Sequence, residues 1–249
     1  MTSKNNEHVF STNFGLISEI DLSHSETWQD KLFLTFDIDW AHDQVIEDAI
    51  SLVEAAGIRA TWFITHQTQM IERLMGNPNF ELGIHPNFNN LLNGDASVGR
   101  SASEIIDALL DIVPNARSVR SHSLTQSERL LDLFAEKGLC HVSNTFVPAN
   151  SQSLISPWGL WSGITIVPHF WQDNVAMRMT ISGDLSQLGS RESLRVFDFH
   201  PIHVYLNTED LSRYDQARDN FQKPRELLKL RNENGSGTRT LLKRLIGVS

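Results

Sequence analysis

Residues 31–39 read KLFLTFDID, a short apolar run that ends in two aspartates separated by one residue. A run of this length, rich in large apolar side chains and bounded by polar ones, is typical of a buried strand. The following stretch carries apolar residues at helical spacing, namely Val45, Ile46, Ala49, Ile50 and Val53. This spacing predicts a helix that begins with Asp43 as its N-cap and ends at Gly57.

The same strand–helix unit recurs along the chain. Further strands are predicted at residues 59–64, 80–84, 116–119, 139–143 and 194–199. Two capping boxes, Ser101-x-x-Glu104 and Thr125-x-x-Glu128, predict the starts of two of the intervening helices. Alternation of this kind indicates an α/β fold with parallel strands, and six or seven units in one domain favour a barrel. The stretch 145–191, rich in Ser, Gly, Pro and Trp, is predicted to cover the site.

The domain organisation follows from the same pattern. Residues 1–30 are polar and weakly patterned, and we expect an arm or cap with a short strand near Phe14–Ile20. Residues 31–249 are predicted to form a single barrel domain, with a short amphipathic helix at Thr238–Ile246.

Composition excludes several classes of protein. The formal net charge of −9 argues against a nucleic-acid binder, which would need a basic face. The single cysteine, Cys140, excludes a disulfide framework and is expected to be a core residue. No segment resembles a secretory signal or approaches the roughly 18 apolar residues of a membrane span, so we predict a cytoplasmic protein. The sequence leaves the oligomeric state open.

Polar residues follow the predicted strands at their carboxyl ends, where barrel enzymes carry their active sites. They are Asp37 and Asp39, His85 and Asn89, Arg120 and His122, and His200 and His203. We expect these residues to converge at the mouth of the barrel.

The spacing of Asp37-x-Asp39 allows both carboxylates to enter one pocket, because alternate residues of a strand point the same way. Two close carboxylates repel each other unless a cation lies between them or their pKa values separate. The alternative is that one aspartate caps the following helix and the other is solvated. Together with His85, the carboxylates suit a divalent metal such as Zn²⁺.

Three motifs carry a resemblance to a known family. Thr35–Asp39 (TFDID), Ala60–Ile64 (ATWFI) and Glu81–His85 (ELGIH) resemble, in order and spacing, the polysaccharide deacetylase or NodB homology pattern, carbohydrate esterase family 4. The resemblance runs from about Lys31 to His203. More narrowly, the whole chain resembles the WbmS-like deacetylases associated with O-antigen biosynthesis. The resemblance implies a distorted (β/α)7 barrel.

The resemblance also implies roles for five residues. Asp37 matches the base that deprotonates the attacking water, and Arg120 matches the arginine that holds this base. Asp39 and His85 match metal ligands, while His200 matches the late histidine that protonates the leaving amine. Metal, base and acid together suit amide hydrolysis.

Two departures from the family pattern concern the metal site. The family usually has a second histidine four residues after the first, where this chain has Asn89. Two prolines usually follow the motif arginine, where this chain has Ser121 and His122. An Asn89 side-chain oxygen can ligate a metal, but asparagine is a poorer zinc ligand than histidine, so our hypothesis is that His122 compensates for it. The sequence leaves the third protein ligand open between Asn89, by position, and His122, by chemistry. Substrate contact or packing is the alternative for His122.

Three further residues are candidates for substrate binding. His203 is predicted to orient His200, contact substrate or support the wall of the site. Trp171 and Asp173 lie in the segment expected to cover the site, where an aromatic ring offers a stacking face for a sugar. Packing is the alternative for Trp171.

The leading prediction is a metal-dependent, zinc-type deacetylase that removes an acyl group from an N-acylated sugar or polysaccharide precursor of O-antigen or surface-polysaccharide synthesis. Two alternatives stay open at this point. One is a hydrolase of another non-peptide C–N amide. The other is a carbohydrate-binding barrel with weakened catalysis, for which Asn89 is the main support.

Overall fold

The computed structural model of the chain describes residues 13–95, 101–148, 154–179 and 192–248. The strands are β1 (Phe14–Gly15), β2 (Leu32–Asp37), β3 (Ala60–Ile64), β4 (Phe80–Ile84), β5 (Ser118–Val119), β6 (His141–Val142), β7 (Trp158–Gly159), β8 (Thr165–Ile166), β9 (Trp171–Gln172) and β10 (Val196–Phe199). The helices are α1 (Asp43–Ala56), α2 (Ile71–Gly76), α3 (Asn89–Leu92), α4 (Ala102–Leu110), α5 (Glu128–Glu136), α6 (Asp173–Met179), α7 (Pro201–Leu206), α8 (Leu211–Ala217), α9 (Pro224–Lys229) and α10 (Thr238–Leu245).

Parallel strands curl into a distorted seven-stranded barrel, as predicted. Strands β2 to β6 pair in chain order, and β10 pairs with the other side of β2. Strands β8 and β9 lie on one extended stretch, 165–172, which pairs with β6 at its start and with β10 at its end. A bridge between Phe146 and His169 ties the middle of this stretch to the chain that follows β6. The predicted covering segment therefore supplies the seventh strand.

The core forms because the predicted apolar positions face inward. All six residues of β2 are buried, and the rings of Phe36 and Trp62 stack with their centroids 4.1 Å apart. The apolar face predicted for α1 is fully buried. Burial of each large apolar side chain contributes about 1.5–3 kcal/mol relative to leaving it exposed.

Two predicted helix starts are wrong by one or two residues. The N-cap of α1 is His42 rather than Asp43, because the His42 Nδ1 accepts a hydrogen bond from the Gln44 N–H at 3.1 Å. The N-cap of α5 is Ser127 rather than Thr125, since the Ser127 hydroxyl is the one that reaches a free N–H of the first turn. Two other predicted helix ends are confirmed. Ser101 is the N-cap of α4, and Gly57, in the left-handed conformation (φ 64°), ends α1.

The N-terminal segment joins the sheet through β1, which pairs in parallel with Leu32 and Phe33. A Cβ atom at Gly15 would lie 2.6 Å from the Phe33 ring, so this contact requires glycine. The Ile17 N–H donates to the Thr61 hydroxyl, and the Ser18 N–H donates to the Glu81 carboxylate. The division of the chain at residue 30 stays a prediction. Within the described part of the chain, no helix is both long and apolar enough to cross a bilayer.

Candidate active site

The carboxyl ends of the barrel strands open into one cleft with a volume of about 860 Å³. Six residues singled out in the sequence line it, namely Asp37, Asp39, His85, His122, His200 and His203. They come from the ends of β2, β4, β5 and β10, where parallel strands bring their following residues together. The predicted convergence is therefore observed for these six side chains.

Asp39, His85 and His122 form a compact triangle of donor atoms. The His85 Nε2 lies 3.3 Å from the Asp39 Oδ1 and 3.3 Å from the His122 Nδ1, which is 3.2 Å from the same Asp39 oxygen. Ligand atoms about 2.0–2.1 Å from a tetrahedral Zn²⁺ lie about 3.3 Å from one another. The triangle therefore fits three ligands of a divalent metal, with a fourth position left for water or substrate.

Asp39 has a strongly perturbed environment. Burial by itself raises the pKa of the Asp39 carboxyl, but hydrogen bonds from His122 and His85 and the nearby His200 outweigh it. The pKa of Asp39 consequently lies well below its usual range. Asp39 is thus held as a carboxylate, the form that ligates a metal.

The two loops that carry Asp39 and His122 both contain residues in the left-handed backbone region. Asp39 and Trp40 have φ values of 39° and 53°, and Ser123 and Leu124 have φ values of 58° and 54°. Such residues cost about 1–2 kcal/mol each when they are not glycine. The edge-to-face contact between Trp40 and His122, with centroids 5.1 Å apart, joins the two loops.

Asn89 lies apart from the triangle. It is the first residue of α3, and its Nδ2 donates to the Ser123 hydroxyl at 3.2 Å. Asn89 does not line the cleft. The structure therefore brings His122, and not Asn89, to Asp39 and His85.

Asp37 is buried at the base of the cleft and is held by Arg120. The Arg120 Nη1 donates to the Asp37 Oδ1 at 3.0 Å, and both side chains are at least 98% inaccessible to solvent. The His85 Nδ1 lies 3.6 Å from the same oxygen, which is longer than a hydrogen bond. Asp37 also lines the cleft.

The partners of Arg120 include a residue that sequence reasoning missed. The Arg120 Nη1 also contacts the Asp198 Oδ1 at 2.5 Å. Burial raises the pKa of Asp198 well above its usual range, Asp37 adds to this effect, and Arg120 opposes it. The signal was present in the sequence, because Asp198 precedes His200 by two residues and so faces the same side of the strand.

His200 is paired with Asp173. The Asp173 Oδ1 lies 2.7 Å from the His200 Nδ1, and its Oδ2 accepts from the His200 backbone N–H at 2.7 Å. Burial by itself lowers the pKa of His200, but Asp173, with Asp39 and Asp198, outweighs it and raises this pKa well above its usual range. The predicted substrate contact of Asp173 is not supported, because both its oxygens hold His200.

The other two predicted substrate contacts differ in their placement. His203 lines the cleft, contacts the Thr208 hydroxyl at 3.2 Å and has its pKa lowered to about 4 by burial. Trp171 is buried in the core, where its ring lies 4.8 Å from that of Phe199, and it does not line the cleft. The structure therefore supports packing for Trp171.

The outer wall of the cleft consists of residues that the sequence did not single out. They include Trp40, Arg178, Tyr214, Arg218 and Phe221. Aromatic rings and guanidinium groups offer stacking faces and hydrogen-bond donors to a sugar. These residues sit on loops and short helices whose positions depend on the barrel as a whole.

Comparison with known proteins identifies the family. The model of the WbmS-like polysaccharide deacetylase family matches residues 34–218. A structure from Bordetella bronchiseptica, assigned as a polysaccharide deacetylase involved in O-antigen biosynthesis, is 43% identical, with a TM-score of 0.90 over 95% of this chain and 98% of that chain.

A second structure, assigned as a polysaccharide deacetylase from Mycobacterium smegmatis, is 16% identical, with a TM-score of 0.47 over 68% of this chain and 77% of that chain. No curated protein matches the chain. The family match and the structure from Bordetella show that the chain belongs to the WbmS-like polysaccharide deacetylases, hydrolases that act on non-peptide carbon–nitrogen bonds.

Proposed function

We propose that this protein is a metal-dependent deacetylase that hydrolyses the acetamido group of a sugar in O-antigen or surface-polysaccharide biosynthesis. One observation carries the proposal: the donor triangle of Asp39, His85 and His122 lies between the buried Asp37–Arg120 pair and the His200–Asp173 pair. Amide hydrolysis needs these three components, a Lewis acid, a base and an acid, around one carbonyl group.

The donor set supports Zn²⁺ as the metal. One carboxylate and two imidazoles are typical of catalytic zinc sites, which keep one position open. The spacing of 3.2–3.3 Å between the donor atoms suits tetrahedral coordination. A metal bound by Asp39, His85 and His122 supplies Lewis acidity toward the amide carbonyl oxygen and the attacking water.

Asp37 is the proposed general base. It takes a proton from the water whose oxygen attacks the carbonyl carbon, and Arg120 holds the carboxylate in place from below. The carboxylate is buried on the strand side and open on the cleft side, so it reaches a water in the cleft without a side-chain rearrangement.

His200 is the proposed general acid. Its Nδ1 is bonded to Asp173, which fixes the ring and leaves the Nε2 facing the donor triangle, 3.5 Å from the Asp39 Oδ2. When the C–N bond breaks, the Nε2 gives its proton to the departing nitrogen. The products are a free amine on the sugar and a carboxylic acid.

The donor triangle argues against the carbohydrate-binding alternative. That alternative rested on Asn89 as a weak substitute for a metal-binding histidine, whereas the His122 Nδ1 lies 3.2 Å from the Asp39 Oδ1 and Asn89 contacts Ser123. The O-antigen context is supported by the relative from Bordetella bronchiseptica, which covers nearly the whole chain.

The proposal is tested with a panel of N-acetylated substrates. Zinc-loaded protein is incubated with N-acetylglucosamine, N-acetylgalactosamine and their uridine-diphosphate conjugates, and acetate and free amine are both measured. We expect equal amounts of acetate and amine from at least one substrate, and release of both products about 10³-fold more slowly by the Asp37→Asn variant. A wild-type rate in Asp37→Asn would overturn the assignment of the base.

A further inference from the structure

Asp198 is a buried carboxyl group that no step of the proposed reaction uses. It lies in β10, has no solvent exposure, and is two residues before His200. Its Oδ1 lies 2.5 Å from the Arg120 Nη1 and accepts from the Thr35 hydroxyl at 3.1 Å. These contacts place Asp198 beside the arginine that holds Asp37.

The Arg120 Nη1 is a shared donor with three oxygen neighbours. It lies 2.9 Å from the Thr35 Oγ1, 3.0 Å from the Asp37 Oδ1 and 2.5 Å from the Asp198 Oδ1. An Nη1 group has only two N–H bonds, so its orientation toward Asp37 depends on where the other two acceptors lie. Asp198 is the nearest of the three.

The rest of the guanidinium is already fixed. The Arg120 Nε and Nη2 donate to the backbone carbonyl and the hydroxyl of Ser143, and the Phe63 ring lies 4.6 Å from the guanidinium carbon. Because the guanidinium is rigid and planar, these contacts keep the arginine in the barrel, while the short contact to Asp198 sets how the whole group is tilted toward Asp37.

The charge state of this cluster agrees with such a role. Two ionised carboxylates would compete for one guanidinium in a site without solvent. Burial and the neighbouring Asp37 raise the pKa of Asp198, which favours its neutral acid. A neutral Asp198 still accepts through its Oδ1, while the positive charge of Arg120 remains for Asp37.

We propose that Asp198 is a positioning residue, which orients the Arg120 Nη1 so that it holds the Asp37 carboxylate in place for proton transfer. This inference rests on the proposed role of Asp37 as the base. In this role Asp198 acts through an oxygen that accepts a hydrogen bond, and not through a negative charge.

The test compares two substitutions at this position with the best substrate of the N-acetylated panel. Asp198→Asn keeps an acceptor oxygen, and we expect its kcat to stay within about threefold of the wild type. Asp198→Leu keeps similar volume but removes the acceptor, and we expect kcat to fall about 10- to 100-fold with KM and zinc content unchanged. A wild-type kcat in Asp198→Leu, or an equal loss in a folded, zinc-loaded Asp198→Asn, would overturn the proposal.

A double-mutant cycle with Arg120→Met separates positioning from general packing. If Asp198 acts through Arg120, Asp198→Leu lowers kcat in the wild type but causes no further loss in the Arg120→Met protein. Equal losses in the two backgrounds would contradict the proposal. If Asp198→Leu does not fold, the smaller Asp198→Ala replaces it in the same cycle. The expected loss is again about 10- to 100-fold, with the same two outcomes.

These results are distinguishable from a failure of the proposed function itself. Full activity in Asp37→Asn removes the base on which the inference rests. An inactive Asp37→Asn together with a fully active Asp198→Leu removes only the role of Asp198.

Discussion

The two halves of the site are built in different ways. Asp37, Arg120 and Asp198 lie at or near strand ends, are buried, and are tied to one another by hydrogen bonds. Asp39 and His122, in contrast, sit on loops with left-handed residues and are about a quarter exposed. Strand alternation determines where the buried side chains lie, whereas the positions of Asp39 and His122 depend on the conformations of their loops.

This difference has a functional consequence. A buried network on strands holds its geometry without a ligand, so Asp37, the proposed base, is preorganised. In the donor triangle, Asp39 and His122 lie on loops that each contain strained left-handed residues, and metal binding would offset the cost of that strain. Substitutions in the buried half should therefore change the chemical step, and those in the triangle should change metal affinity.

The largest expected effect is that of Asp37→Asn. Loss of the base should lower kcat about 10³-fold, within the range of general acid–base catalysis, while zinc content stays at one ion per chain. Steady-state kinetics and metal analysis measure the two quantities. Asp132→Asn, an exposed aspartate on α5, is the matched control and should behave as the wild type. Loss of zinc in Asp37→Asn would mean that Asp37 also supports metal binding, which would contradict the distinction between the two halves.

His122→Ala tests the metal half. Removal of one corner of the triangle should weaken zinc binding about 100-fold or more, measured by competition with a chelator of known affinity. The exposed His24→Ala is the control, since the His24 side chain is 59% exposed and does not line the cleft. Unchanged zinc affinity in His122→Ala would mean that another residue completes the site.

Asp173→Asn tests the positioning of the acid. The His200 Nδ1 would lose its carboxylate partner, and we expect kcat for an amide substrate to fall about 10- to 100-fold. An activated ester such as 4-nitrophenyl acetate has a leaving group that needs no proton, so its hydrolysis should fall much less. Equal losses for amide and ester would show that Asp173 acts on something other than the leaving-group proton.

The smallest expected effect is that of Asn89→Ala. Its side chain bonds only to the Ser123 hydroxyl in the described structure, and such a hydrogen bond contributes about 0.5–1.5 kcal/mol. We expect zinc affinity within about threefold of the wild type and a fall in Tm of a few degrees at most. A large loss of zinc would restore Asn89 as a ligand.

Strand and helix positions were largely predictable, because apolar periodicity reports directly on burial. The helix starts at His42 and Ser127 were missed since several neighbouring residues compete as N-caps, and only the backbone geometry selects one. The stretch 165–172 was missed as a barrel strand because its pairing partners change along its length, which leaves no single alternation pattern.

The site was predictable where residues follow strands directly. Asp37, Arg120 and His200 come from strand ends, and their convergence follows from the parallel sheet. Asp198 was missed because it lies between two phenylalanines and resembles a core position, and Trp171 was placed in the covering segment rather than in a strand. The choice between Asn89 and His122 depended on loop backbone that a sequence pattern does not encode.

The metal site is tested most directly by anomalous diffraction from zinc-loaded crystals, measured on both sides of the zinc absorption edge. We expect one zinc peak about 2.0–2.1 Å from the nearest nitrogen or oxygen of Asp39, His85 and His122, with no contact to Asn89. A peak that is bound by Asn89 instead of His122, or one that lies among Asp37, Asp198 and His200, would contradict this expectation.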